Sequence, residues 1–157
     1  MGAEARLAAA PFRPEDELAD FIAGRDGDGA VVSFVGLARP AGADGEAVTG
    51  LFLDSYPGMT EASLAAIADG ALVRFAVSAV RVVHRCGEIA PGEPIVFAAA
   101  ASAHRRAAFE AADYLMDRLK TDAAFWKRED GVDGSRWIEP AAGDRAARAR
   151  WSDPCPE

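Results

Sequence analysis

"AVVSFVGLARPAGADGEAVTGLFLDSY", residues 30–56, decides the class of fold. Its first part, 30–37, is rich in β-branched residues and mostly apolar, which predicts a buried strand. Its last part, 48–56, alternates as a second strand. The connection between them, 38–47, is a Gly/Ala/Pro loop that leads into no helix. A Rossmann or P-loop domain carries a Gly-rich phosphate loop after its first strand, so that class is disfavoured.

On the N-terminal side, "PEDELADFIA" (14–23) predicts a helix, with proline and acids in the first turn and Leu18, Phe21 and Ile22 on one face. The stretch before it suggests no element. On the C-terminal side a helix is expected within 57–76, with Thr60 as N-cap and Leu64, Ile67, Leu72 and Phe75 as its apolar residues. Gly70 weakens its last turns. Segments 79–89 and 94–102 predict strands around the turn "APGEP". A helix follows over 104–120, with Ala112, Leu115, Met116 and Leu119 at i, i+3, i+4, i+7 and an Arg106–Glu110 pair on the wet side. "FWKRE" and "SRWIEP" predict two short strands around "DGVDG". The remainder, 141–157, is expected to be a frayed polar tail pinned by Trp151. The order α-β-β-α-β-β-α-β-β describes one α+β domain, 1–140, with a mixed sheet.

The 157 residues are 50% hydrophobic and 27% charged, enough to build a core and too apolar for wholesale disorder. A net charge of −8 argues against non-specific nucleic-acid binding, which needs a broad basic surface. No apolar stretch is long enough to span a bilayer, and "MGAEARLAAAPFRPEDE" turns acidic too early for a secretory signal. Cys86 and Cys155 form no disulfide framework and have no metal-ligand spacing, so a reducing cytoplasm is the expected setting. Neither a metal nor a resident cofactor is expected.

The chain has only two lysines, Lys120 and Lys127, and both fall in "LKTDAAFWKRED" (119–130). Arginine stays charged, whereas lysine can lose its proton and act as a base or nucleophile. Lys120 ends a helix, where any cation is favoured. Lys127 shares a strand face with Phe125 and Glu129, opposite Trp126 and Arg128. Apolar walls and a neighbouring cation would lower its pKa; a snorkelling surface lysine is the commoner fate. "SAHRRAAFE" (102–110) starts a helix with His104, Arg105 and Arg106, cations that work against the dipole unless an anion binds there. Solvation of those side chains is the simpler alternative. His84 is expected to be a satisfied core histidine, and Cys86 a buried inert one.

Several motifs together resemble one known family, the large, catalytic subunit of molybdopterin synthase. They are "FVGLAR" (34–39), "YPGMTE" (56–61), "VVHRCGE" (82–88), "SAHRRAAFEA" (102–111), "LKTDAAFWKRE" (119–129) and "RWIE" (136–139), in the family's order. The resemblance implies an α/β-hammerhead fold with a mixed or antiparallel sheet and a small additional β-subdomain. It implies a homodimer within a heterotetramer, whose small ubiquitin-like sulfur-carrier subunits each bring a C-terminal Gly-Gly thiocarboxylate. The implied substrate is cyclic pyranopterin monophosphate, which two sulfur transfers convert to the dithiolene of molybdopterin. Lys120 and Lys127 match the family's catalytic lysines. Leu37, Ala38, Arg39, His104, Arg105, Lys127, Arg128 and Glu129 match its substrate pocket, together with Lys120. Leu37 departs from the polar residue many members carry, and Pro140–Ala142 from a basic one, which leaves the phosphate grip to Arg39, His104 and Arg105. The competing readings are a non-catalytic docking module for a ubiquitin-like partner, a sulfur carrier acting through Cys86, and a generic phosphate-ester binder.

Overall fold

The computed structural model describes residues 2–152; Cys155 lies outside them. Two four-stranded sheets carry the fold. The first contains β1 (Gly2–Ala8), β4 (Ala79–Arg85), β6 (Pro94–Ser102) and β2 (Ala30–Leu37), in that spatial order. β1 runs parallel to β4, and the other pairs are antiparallel. The second contains β5 (Gly87–Ile89), β3 (Val48–Ser55), β7 (Phe125–Gly131) and β8 (Gly134–Ile138), all antiparallel. Four helices complete the described residues: α1 (Pro14–Ala23), α2 (Met59–Arg74), α3 (Arg105–Thr121) and α4 (Ala142–Ala149). This is the expected α+β class, with the second sheet as the small β-subdomain.

The two central strands of the first sheet, β4 and β6, are buried on both faces. Val80, Val82, Val96, Ala98 and Ala100 pack under α2 and α3, against Leu64, Ile67 and Leu115. Val83, Phe97, Ala99 and Ala101 turn the other way, toward Phe21 of α1. The run of four alanines in β6 is fully buried. Methyl-sized residues on both faces of a central strand let helices approach closely, which is how a strand of low β-propensity survives here.

Several expectations are corrected. β1 was not expected: "GAEARLA" alternates only weakly and pairs with β4 alone, so its strand character is tertiary. The predicted strand 79–89 divides between the two sheets. Gly87, at φ 81°, makes the turn that a β-carbon would resist, and the chain leaves β4 and enters β5. Strand β2 is an edge, and Phe34, Val35 and Leu37 are exposed rather than buried. Thr60 is not the N-cap of α2; Gly58 is. Thr60 is buried instead, accepting the Tyr56 N–H at 2.8 Å and donating to the Ala124 carbonyl at 2.7 Å, which ties α2 to the start of β7. Gly70 does not interrupt α2: its bare Cα leaves room for the Tyr114 hydroxyl, which a β-carbon would meet at 2.9 Å.

Residues 141–152 are no loose end. They form α4 and lie on α3, where Arg148 reaches Asp122, and Arg150 reaches Asp113 and Asp117. Trp151 pins them as expected, with its ring edge-on to Phe75 and Tyr114 and its indole N–H donating to Asp117 at 2.6 Å.

Candidate active site

β7 builds the site by strand alternation. Lys127 and Glu129 pair with Leu53 and Leu51 of β3 and share their inner face, while Trp126 and Arg128 point to the outer face. Lys127 is half-buried. Burial lowers its pKa, and the positive charges of Lys120 and Arg39 lower it further; Glu129 and Asp144 act in the opposite sense. The result is an amine that gives up its proton more readily than a free lysine. Lys120 extends, exposed, from the last turn of α3. Arg39 leaves the loop just after β2.

Beneath this group, His84 stacks on Phe125 with ring centroids 4.3 Å apart. Its Nδ1 lies 2.9 Å from the Arg85 carbonyl, which can only accept, so Nδ1 carries the proton. Burial is the main cause of its pKa falling to about 4, with Lys120 adding to it. The core histidine expected from the sequence is therefore satisfied on one nitrogen and neutral at pH 7.

Partnering separates the cations of this protein into two groups. Among the described residues, Lys120, Lys127, Arg39 and Arg105 have no hydrogen bond or ion pair from their side chains. Every other arginine has at least one: Arg6 and Arg81 with Glu17, Arg85 with Glu93, Arg118 and Arg148 with Asp122, and Arg136 with Asp44, for example. The four unpartnered cations all belong to the set singled out from the sequence. Unpaired like charges near one another are unfavourable unless an anion offsets them.

The sequence-predicted residues do not all meet in one chain. Arg39, Lys120, Lys127 and Glu129 gather at one end of α3. Leu37 is exposed beside them, and Ala38 is buried. Arg128 lies on the opposite face of β7, over the rings of Phe52 and Trp137 and paired with Asp130. His104 and Arg105 stand at the other end of α3, and at about 1.5 Å per residue that is about 22 Å from Lys120. There they line an open depression with Gly29, Ala30 and Phe109. His104 is the N-cap of α3 but makes no side-chain cap, and no acid occupies the first turn, although Glu110 also lines the depression. Two contributors escaped the sequence reading. Asp144 sits on α4, which looked like tail, although an acid three residues into an Ala/Arg-rich segment is a helix-start signal. Arg136 holds the Glu129 carboxylate at 3.2 Å, a cross-strand pair that follows once the β7–β8 register is known.

A family model described as "MoaE protein" matches residues 7–122, which include Arg39, His104, Arg105 and Lys120. This chain belongs to the MoaE family. Among its relatives, the molybdopterin synthase catalytic subunit of Caulobacter vibrioides is 55% identical over 141 residues, covering 90% of this chain and 92% of that one. The molybdopterin biosynthesis MoaE protein of Burkholderia ambifaria superposes with a TM-score of 0.81 at 38% identity, covering 97% and 99% of the two chains. The same fold occurs, at 18% identity and a TM-score of 0.70, in a protein–protein complex of subunits 1 and 2 of molybdopterin-converting factor from Helicobacter pylori, over 85% and 89% of the two chains. MoaE membership makes the chain a sulfur-transferring enzyme of molybdenum cofactor biosynthesis. Among the described residues no helix is long and apolar enough to cross a membrane.

Proposed function

We propose that this chain moves sulfur from the C-terminal Gly-Gly thiocarboxylate of a small ubiquitin-like subunit onto cyclic pyranopterin monophosphate, using Lys120 and Lys127. The observation that carries the reading is the set of unpartnered cations: both lysines, with Arg39 beside them and Arg105 apart. A thiocarboxylate tail and a cyclic phosphate are the anions this set lacks. A thiocarboxylate is already a good nucleophile, so no cysteine is needed. Its sulfur forms a C–S bond to a side-chain carbon of the pterin as a C–O bond at that carbon breaks, the oxygen leaving with the electron pair and taking up a proton; water then cleaves the acyl C–S bond, returning the tail as a carboxylate. A second transfer, with opening of the cyclic phosphate, completes the dithiolene. Lys120, exposed and free to reach the substrate, stabilises the oxyanions of both steps. Lys127, with its lowered proton affinity, moves protons between them.

The phosphate-binding half of the site comes from a second copy. β2 is an edge strand with an unpaired outer side and exposed Phe34, Val35 and Leu37, a surface suited to pairing with itself. Two-fold antiparallel pairing would set the Ala30 end of one copy beside the Leu37 end of the other. The Ala30 end pairs with Ser102, two residues before His104 and three before Arg105; the Leu37 end leads into Arg39. His104 and Arg105 of one copy then face Arg39, Lys120 and Lys127 of the other. A small subunit at each far end makes the assembly a heterotetramer, and the complex of subunits 1 and 2 from Helicobacter pylori is consistent with a second kind of subunit.

The test is complementation in a defined mixture of large chain, thiocarboxylated small subunit and pterin. At pterin concentrations well below the wild-type KM, Lys120→Ala and Arg105→Ala are each expected to lose most of their turnover as homodimers, about tenfold or more. Co-assembled, they leave one intact site per mixed dimer, so roughly a quarter of the wild-type sites return. No recovery would reject a site shared between copies. Near-normal turnover by Lys120→Ala would reject the catalytic reading in favour of docking alone.

A further inference from the structure

The last two residues of β4, His84 and Arg85, belong to the motif "VVHRCGE", for which the sulfur transfer has no use so far. They point to opposite faces of the first sheet. Arg85 is buried, with 3% of its side chain exposed. Its Nη1 donates to Glu93 at 3.1 Å and its Nη2 to the Glu88 carbonyl at 2.7 Å, so one guanidinium bridges both ends of the turn 88–93. The other Glu93 oxygen accepts the Ala90 N–H at 2.9 Å and closes the turn on itself. His84 donates from Nδ1 to the Arg85 carbonyl and fixes the strand end from the other side.

The turn in its pinned form holds Ala38 by both backbone groups. The Ala38 N–H donates to the Glu93 carbonyl at 2.9 Å, and the Ala38 carbonyl accepts the Gly92 N–H at 2.7 Å. β2 needs such an anchor, because its register with β6 slips between Gly36 and Leu37 and the ladder ends at Pro94. Arg39 is the next residue, and it has no partner of its own. Meanwhile the Arg85 Nε–H is buried without an acceptor, a cost that a side chain retained for packing alone would avoid.

We infer that Arg85 and Glu93 form a positioning clamp which, through Ala38, sets Arg39 beside Lys127 at the substrate's phosphate. Neither residue touches the reacting atoms. The phosphate part of this inference rests on the assignment of Arg39 to the substrate site; the placement of Arg39 does not.

Two readouts separate those parts. The first is the Lys127 side-chain titration by NMR in the full-length chain, with Arg39→Ala, Arg85→Met and Glu93→Gln compared singly and with each clamp variant combined with Arg39→Ala. Loss of the Arg39 charge raises the Lys127 midpoint. Arg85→Met is expected to raise it in the same direction, Glu93→Gln less so, and neither to add to Arg39→Ala. A midpoint unmoved by both clamp variants, or moved equally in the Arg39→Ala background, overturns the clamp. The second is the KM for the pterin in the assembled synthase. Arg39→Ala is expected to raise KM about tenfold, the worth of one charge-assisted hydrogen bond, and Glu93→Gln about threefold, with kcat near wild type and no further rise in the double variant. If the Lys127 midpoint moves while no variant changes KM, the clamp stands as a positioner of Arg39 and the assignment of Arg39 to the phosphate fails. Arg85→Lys, which keeps the charge but only one donor nitrogen, is expected to recover part of both effects.

Discussion

Arg81, inside the first sheet on β4, and Lys120, in the last turn of α3, are both cations, and their surroundings could hardly differ more. Arg81 is buried beneath α1, and three carboxylates converge on it: Glu4 at 2.9 Å, Glu17 at 3.4 Å and Asp20 at 2.8 Å. That network links β1, β4 and α1, and Arg6 joins it through Glu17. Lys120 has no carboxylate partner among the described residues and shares its neighbourhood with Lys127, whose pKa it depresses. An acidic chain has carboxylates to spare, so the missing partners at Lys120 are a property of the site and not of supply. Charges that partner each other hold the fold together. Charges left without partners are available to a ligand.

The sharpest way to break this comparison is to remove one cation from each region. Lys120→Ala is expected to lower kcat of sulfur transfer by about 10²–10³, as for other oxyanion-stabilising groups, while stability stays within about 0.5 kcal/mol of wild type. Lys120→Arg keeps the charge and is expected to recover part of the loss. Arg81→Met should do the reverse. Removing one partner from a buried network costs about 3–5 kcal/mol of unfolding free energy, with sulfur transfer per folded molecule unchanged. Turnover assays and urea denaturation on the same two variants check both halves. If Lys120→Ala unfolded the chain, or Arg81→Met lost activity while folded, the division would fail.

How much of this was legible in the sequence follows the same physics. The two lysines, Arg39, His104 and Arg105 stood out because residue type and local spacing are readable one position at a time. Helix α3 was legible because Ala112, Leu115 and Leu119 repeat at helical spacing and are buried. Edge and centre were not legible: "AVVSFVGL" has the composition of a buried strand, and only the sheet order makes it an edge. β1 and α4 were missed because partners distant in sequence stabilise both, β4 for one and α3 for the other. The separation of His104 from Lys120 by the length of α3 follows from that helix's bounds alone. Resemblance to a family hides it, since the family's pocket gathers residues from the whole chain without saying which copy supplies each.

His84 lies between the two regions and gives a smaller, pH-dependent effect. Its pKa is about 4 in the folded protein and about 6.5 when unfolded. Between these values the unfolded chain binds the proton and the folded one does not, so stability falls as pH drops from about 6.5 to about 4 and this contribution is flat below. The shift corresponds to about 3 kcal/mol in full, and about half of that remains to be lost at mid-range. His84→Phe keeps the ring on Phe125 and is expected to flatten this part of the profile of denaturation midpoint against pH. An unchanged slope would show that other groups carry it.

The finest test uses the scarcity of lysine. With only Lys120 and Lys127 in the chain, side-chain lysine NMR gives two signals, and the Lys120→Ala variant assigns them. Lys127 is expected to titrate below the usual lysine value of 10.5, with burial as the main cause. Removing Lys120 takes away a repelling charge, so the Lys127 midpoint should rise; Glu129→Gln removes an attracting one, so it should fall. Both changes are expected to be smaller than the effect of burial, because the nearby charges act partly through solvent. Salt separates the causes: high ionic strength should shrink the Lys120 and Glu129 effects while leaving the burial effect in place. A Lys127 that titrates like a free amine at all salt concentrations would mean that the cationic end is an ordinary wet surface. The absence of partners there would then carry no information about a ligand.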